Sequence, residues 1–64
     1  MPMTSTELKR IRARMELSQR ELADLIGVDR VTVARWETDV RTIPEMAARL
    51  VRRIAEESKK GGRS

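Results

Sequence analysis

The chain has 64 residues and a mass of 7.4 kDa, a size that allows one small domain. A domain this small buries only about 60% of its unfolded surface and has no room for the deep pocket that most enzymes need. It contains no His and no Cys, which excludes an imidazole base, a thiolate nucleophile, a disulfide and the usual zinc sites. No apolar run approaches the roughly 18 residues of a membrane span, and no signal-peptide core follows the first Met. We therefore expect a cytoplasmic protein that is not an enzyme and has no cofactor, metal or membrane partner.

The charged residues are dominated by arginine. The chain has 14 Lys and Arg against 10 Asp and Glu, a net charge of +4, and 11 of the cations are Arg. Arg forms fork-like hydrogen bonds with phosphate groups and guanine edges, so a nucleic-acid partner is compatible with this composition. A solvated surface of mixed charge is the more common explanation. Trp36 is the only aromatic residue, which argues against stacking on single-stranded bases.

Capping residues mark the first two predicted helices. Thr4 stands three residues before Glu7, and Ser18 stands three residues before Glu21, which is the spacing of a capping box. Gly27 directly follows the second apolar segment, at the point where a residue that tolerates positive φ commonly ends a helix. The sequence therefore predicts one helix that begins near Thr4 and another that ends at Gly27.

The third and fourth helices are predicted from similar signals. The third begins at the N-cap residue Asp29 and runs to about Glu37. The fourth follows Thr42, which has capping-box spacing to Glu45, with Pro44 in the first turn. Its apolar stripe is expected to comprise Ile43, Met46, Ala47, Leu50 and Ile54.

Three further apolar residues widen the stripe of the fourth helix beyond what one core face needs: Ala48, Val51 and Ala55. The surplus predicts a dimer seam, and a broad core face is the alternative. Residues 58–64 carry no apolar anchor and are predicted to form a disordered basic tail. The folded domain is therefore expected to span residues 4–57.

The second and third helices are joined by a turn too short for an antiparallel pair. A connection of this length makes the two helices cross steeply, as in a helix-turn-helix. Such a crossing needs a small residue where the helices touch, and Ala23 lies four residues before Gly27. Val33 and Trp36, three residues apart, are expected to face the core.

The segment LSQRELADLIGVDRVTVARWE, residues 17–37, resembles the helix-turn-helix of the Cro and lambda-repressor type, the Xre family. The resemblance covers about residues 4–57 and implies an all-α domain, a compact bundle of four helices or five. Two positions depart from the family pattern, because Glu16 and Asp39 stand where the family often has Gly. Asp tolerates a left-handed turn better than Glu does. The residues that match are Gln19, Glu21, Leu22, Ala23, Ile26, Gly27, Val28, Thr32, Val33, Trp36 and Glu37.

The resemblance also implies roles in DNA binding. The recognition helix, about Asp29 to Glu37, is expected to lie in the major groove. By matched position the base contacts would be Arg30, Val31 and Arg35, although either Arg can instead be solvated or bound to phosphate. The phosphate contacts would be Gln19, Thr32, Arg41, Arg10 and Arg14. In the family the Gln that matches Gln19 can also brace a side chain of the recognition helix.

Other matched residues are expected to be structural. Trp36 is expected to lie in the core, with its indole N–H near the surface. Glu37 is similar to a family Glu that pairs with an Arg of the first helix, and Arg12 stands at the matching position. A lone carboxylate without a pocket or a positioned partner is no catalytic site. The expected structural residues are Ala23, Gly27, Val33, Trp36, Arg12 and Glu37.

The resemblance favours a sequence-specific regulator of transcription from a bacterium or phage, with repression as the favoured mode of action. It would bind double-stranded DNA as a homodimer on an inverted repeat, without a small-molecule ligand. The alternative is a small helical module that binds a protein partner, as an antitoxin does. Cations on the third helix and its flanks favour the DNA reader.

Overall fold

The computed structural model describes the backbone of residues 3–61 and the side chains of residues 3–57. Within that part of the chain every regular element is an α-helix, so the predicted all-α fold of four helices is confirmed. None of these helices is long and apolar enough to cross a membrane. The helices are α1 (Ser5–Arg14), α2 (Gln19–Ile26), α3 (Arg30–Glu37) and α4 (Glu45–Gly61).

The predicted starts of α1 and α2 are confirmed by hydrogen bonds. The Thr4 hydroxyl accepts the backbone N–H of Glu7 at 3.1 Å. At α2 the bonds are reciprocal: Ser18 Oγ accepts the N–H of Glu21 at 3.0 Å, and the Glu21 carboxylate accepts the N–H of Ser18 at 2.8 Å. Asp29 occupies the N-cap of α3, but its side chain makes no capping bond. The first turn of α3 therefore keeps N–H groups that helices normally offer to anions.

The predicted boundaries of α4 differ from the structure at both ends. Pro44 O accepts the N–H of Ala48 at 2.9 Å, so Pro44 immediately precedes the helix and Thr42 lies too early to cap it. At the other end α4 continues to Gly61, over the first four residues of the predicted disordered tail. Lys is a good helix former and suits the C-terminal end of a helix. The rest of that tail, residues 62–64, lies outside the described residues.

The buried side of α4 differs from the predicted stripe. Ala48 and Val51 are fully buried in the core, so their assignment to a dimer seam is wrong. Met46 and Leu50, which were predicted to be buried, are 75% and 43% exposed. The buried side of α4 at positions 47 and 48 is formed by two small side chains, both Ala. The core residues are Met3, Leu8, Leu22, Ala23, Val33, Trp36, Ile43, Ala47, Ala48 and Val51.

The turn between α2 and α3 uses Gly27 for its backbone conformation. Gly27 has φ of +79°, and a Cβ atom built there would meet no atom within 4 Å. Gly is therefore favoured at this position because of the left-handed backbone conformation, and not because a larger side chain would lack space. Val28 N–H donates to Ala23 O at 2.9 Å and closes the turn. Glu16 and Asp39 adopt the same left-handed region, with φ of 57° and 62°.

Candidate nucleic-acid interface

Helix α3 has two faces of opposite character. Its inner face consists of Val33, Trp36 and Glu37, which are at most 5% exposed. Its outer face carries the three residues expected to read bases, Arg30, Val31 and Arg35, and all three are exposed. The 100° turn per residue places positions 31 and 35 opposite positions 33, 36 and 37. Arg30, two turns before Glu37, lies at the boundary between the two faces and is exposed.

A bidentate ion pair anchors the inner face to α1. Arg12 Nε donates to Glu37 Oε2 at 2.6 Å, and Arg12 Nη2 donates to Glu37 Oε1 at 3.1 Å. The remaining guanidinium nitrogen, Nη1, donates to Leu17 O at 2.9 Å in the turn after α1. This pair was expected from matched positions, and in the structure it joins α1, the following turn and α3. Two parallel N–H···O bonds fix the relative orientation of both side chains.

Both members of the pair have shifted pKa values. Burial by itself would raise the pKa of the Glu37 carboxyl, but hydrogen bonds from Arg12 and Gln19 and the charges of Arg12 and Lys9 outweigh it, so the pKa is lowered. The hydrogen bond to Glu37 also raises the pKa of Arg12, a side chain that is protonated at physiological pH in any case. Glu37 is thus an ionised carboxylate at neutral pH, and such a group only accepts hydrogen bonds.

Gln19 connects the buried pair to the outer face. Its Nε2 donates to Glu37 Oε1 at 3.0 Å, and its Oε1 accepts from Arg30 Nη1 at 3.4 Å. Residues from α1, α2 and α3 therefore form one continuous chain of polar contacts. The sequence did not predict the bond between Gln19 and Glu37, because the two residues are 18 positions apart and no local periodicity relates them. Two expectations from the resemblance pointed towards it: the Arg12–Glu37 pair, and a Gln at the start of α2 that can brace a side chain of the recognition helix.

A cleft of about 340 Å³ separates α3 from the segment that leads into α4, and we call it the α3–α4 cleft. Two guanidinium groups and two hydroxyl groups line it, and none of its lining residues is acidic. The N–H groups of Val40 and Arg41 donate to Arg35 O at 3.0 and 3.3 Å, which holds this segment against the end of α3. The lining residues are Thr32, Arg35, Trp36, Arg41, Thr42 and Pro44.

The structure brings together most of the expected DNA contacts, but not those of α1. Thr32, Arg35 and Arg41 share the α3–α4 cleft. Arg14 instead lines a groove between α1 and α4, together with Glu7 and Arg52. Arg10 is exposed on α1 and has no described contact with α3. The candidate interface is therefore the outer face of α3, the α3–α4 cleft and the N-terminal turn of α2.

A family model described as helix-turn-helix matches residues 8–56, about three quarters of the chain. The match begins in α1, contains the whole of α2 and α3, and ends within α4. It confirms the resemblance that the sequence carries. A comparison with curated proteins finds no match. Among the described residues no group of acidic side chains could hold a metal ion.

Proposed function

The chain belongs to the helix-turn-helix family of the Xre and lambda-repressor type, whose members are DNA-binding regulators and not enzymes, and we propose that it recognises one operator sequence and represses transcription there. The observation that carries the proposal is the outer face of α3. Two Arg side chains and one apolar side chain project from it, and the cationic α3–α4 cleft lies at its end. Such a surface fits the major groove between two phosphate strands.

We propose that the outer face reads bases directly. Arg30 and Arg35 each have a planar guanidinium that can donate two parallel bonds to guanine O6 and N7. In the described residues neither forms an ion pair with a carboxylate. No ion pair of Arg30 or Arg35 therefore has to be broken before their N–H groups can bind DNA. Val31 is 43% exposed beside them and suits contact with a thymine methyl group.

Phosphate groups on both sides of the groove would hold the domain in register. We propose that Thr32 and Arg41 bind one phosphate in the α3–α4 cleft, where no acidic side chain opposes it. A second phosphate would lie at the N-terminus of α2, where Gln19 is the first helical residue and offers a free backbone N–H. Arg10 and Arg14 stay proposed contacts to flanking phosphates.

We also propose that the operator is bound by a homodimer. The residues first expected at the dimer seam, Ala48 and Val51, are in the core and cannot contribute. The apolar side chains that α4 leaves exposed are Met46 and Leu50, four residues apart on one side of the helix. The same two residues would serve the alternative function, a helical module that binds a protein partner. The regulator would act in the bacterial cytoplasm or nucleoid, where its DNA is.

Selection from a random duplex pool at about 150 mM salt, followed by sequencing, tests the proposal. We expect enrichment of an inverted repeat whose half-sites lie about 10 bp apart, centre to centre. The matched control is Arg30→Ala combined with Arg35→Ala, which changes only exposed side chains and should lose the enrichment while staying folded. Enrichment of a single half-site would keep sequence-specific binding and remove the dimer.

Retention of every sequence without enrichment would overturn sequence-specific recognition and favour the protein-binding module. Salt dependence separates these outcomes further. Contacts with about eight phosphates give a slope of log affinity against log salt near −7. An interface with a protein partner that rests on the apolar pair Met46 and Leu50 would respond only weakly to salt.

A further inference from the structure

The amide of Gln19 has two chemically different ends, and Glu37 determines which of them faces inward. An ionised carboxylate has no hydrogen to donate, so only the Nε2 end of Gln19 can bond to Glu37. Its Oε1 end is thereby turned outward, where Arg30 Nη1 donates to it at 3.4 Å. If the amide were reversed, an oxygen would face the carboxylate and an NH2 group would face the guanidinium. Both of those contacts would be repulsive.

We propose that Glu37 is a positioning residue for DNA readout, which acts through the amide of Gln19 on the guanidinium of Arg30. The inference rests on the proposed function, because it presumes that Arg30 reads a base. It assigns to the buried ion pair a second role besides joining α1 to α3. Glu37 is 4% exposed and cannot touch DNA itself.

Arg30 needs such support because of its length and exposure. Its side chain has many rotamers, and ordering it on a base costs conformational entropy. A fixed acceptor beside the guanidinium restricts those rotamers before DNA arrives and leaves other N–H donors of the group for guanine. The acceptor is itself fixed, because Gln19 is bonded to Glu37, and Glu37 is held by two bonds from Arg12.

A purely structural role for Glu37 makes a different prediction from a positioning role. Loss of a stabilising contact lowers the folded fraction, which weakens binding to every DNA sequence by the same factor. Loss of a positioning contact alters the ratio of affinities for two DNA sites. The folded fraction cancels from that ratio, so the ratio reports only on readout.

The experiment measures affinity for the selected operator and for the same operator with one base pair changed. The changed position is the one at which the Arg30→Ala variant no longer discriminates between the two base pairs. For the wild-type protein, a good bidentate contact gives a ratio of the two affinities of about 5- to 150-fold. We expect Glu37→Gln to lower that ratio about fivefold or more, because an amide at position 37 can donate and no longer fixes the orientation of Gln19. Gln19→Leu should lower the ratio equally, and the double variant should show no additional loss.

Val51→Ala is the stability-matched control. Val51 is fully buried on α4 and has no hydrogen bond to the polar chain, so its truncation should destabilise the fold and leave the ratio within about twofold. An equal loss on both operators for Glu37→Gln would overturn the proposal and leave Glu37 a structural residue. If Glu37→Gln does not fold, Gln19→Leu decides, because full discrimination in that variant would equally overturn it. Wild-type protein that shows no sequence preference would overturn the proposed function first, and is seen before any variant is made.

Discussion

The two faces of α3 belong to the same eight-residue helix but differ in burial and in hydrogen bonding. Val33, Trp36 and Glu37 are almost completely covered, whereas Val31 on the other side is 43% exposed. The inner face has one charge, and donors from two other helices satisfy it. On the outer face, within the described residues, the contact of Arg30 with Gln19 is the sole side-chain hydrogen bond. The inner face therefore carries most of what α3 contributes to stability, whereas the proposed base contacts lie on the outer face and are linked to Glu37 through Gln19.

Trp36→Ala should produce the largest loss of stability of any substitution on either face of α3. Removal of a buried aromatic side chain costs about 3–5 kcal/mol, which is a large part of the stability of so small a domain. Val31→Ala, on the outer face, should change the free energy of unfolding by no more than about 0.5 kcal/mol. Urea unfolding followed by circular dichroism measures both values. Near-equal costs for the two variants would show that Trp36 is not a core residue.

A fall in pH should reduce the contribution that the inner face makes to the free energy of unfolding, because it protonates Glu37. Folding lowers the pKa of Glu37, so the stability that this carboxylate contributes is fully present above its unfolded pKa of about 4.3. That contribution is lost as the pH falls through the lower, folded pKa. We expect the urea midpoint to decrease between pH 5 and pH 3. The Glu37→Gln variant is less stable at neutral pH and should lose less over the same range, and an identical decrease in both proteins would contradict the assignment.

Single Arg substitutions should distinguish base contacts from phosphate contacts within the proposed DNA interface. Arg30→Ala should cost about 1–3 kcal/mol on the preferred operator and much less on unrelated DNA, because it would remove the proposed base contact. Arg41→Ala should weaken binding to all sequences alike and reduce the salt slope by about one, because it would remove the proposed phosphate contact. Fluorescence anisotropy over a series of salt concentrations measures both effects. A uniform loss for Arg30→Ala would reassign it to a phosphate.

Local signals in the sequence predicted the scaffold of this interface well. The Ser18–Glu21 spacing and Gly27 determine where α2 begins and ends, and both depend on neighbouring atoms only. The three-residue spacing of Val33 and Trp36 likewise predicted that both face the core, although it gave no sign of the charged Glu37 beside them or of Val31 on the outer face. These features follow from short-range geometry, which one sequence contains in full.

Features that depend on packing between helices were not predictable in the same way. On α4, apolar residues occupy so much of the circumference that at least two rotations would bury a stripe, and only tertiary contacts choose positions 47, 48 and 51. The Gln19–Glu37 bond likewise requires α2 and α3 to cross at one particular distance. No spacing along the chain encodes that distance, so the Gln19–Glu37 bond became visible only in the folded structure.

The turn after α1 offers the smallest test, because it supports the inner face without touching the outer one. Glu16 has φ of 57°, and Arg12 Nη1 bonds to Leu17 O in the same turn. A left-handed backbone costs a residue with a side chain about 1–2 kcal/mol. Replacement by Gly removes that cost, but Gly loses more conformational entropy on folding, which offsets part of the gain in stability. Glu16→Gly should therefore raise the free energy of unfolding by up to about 1 kcal/mol.

Asp39→Gly is the matched control, with a smaller expected gain because Asp tolerates this conformation better. Since neither substitution touches Arg30, Gln19 or Glu37, discrimination between operators should stay unchanged, and a change would show that the turn after α1 also governs readout.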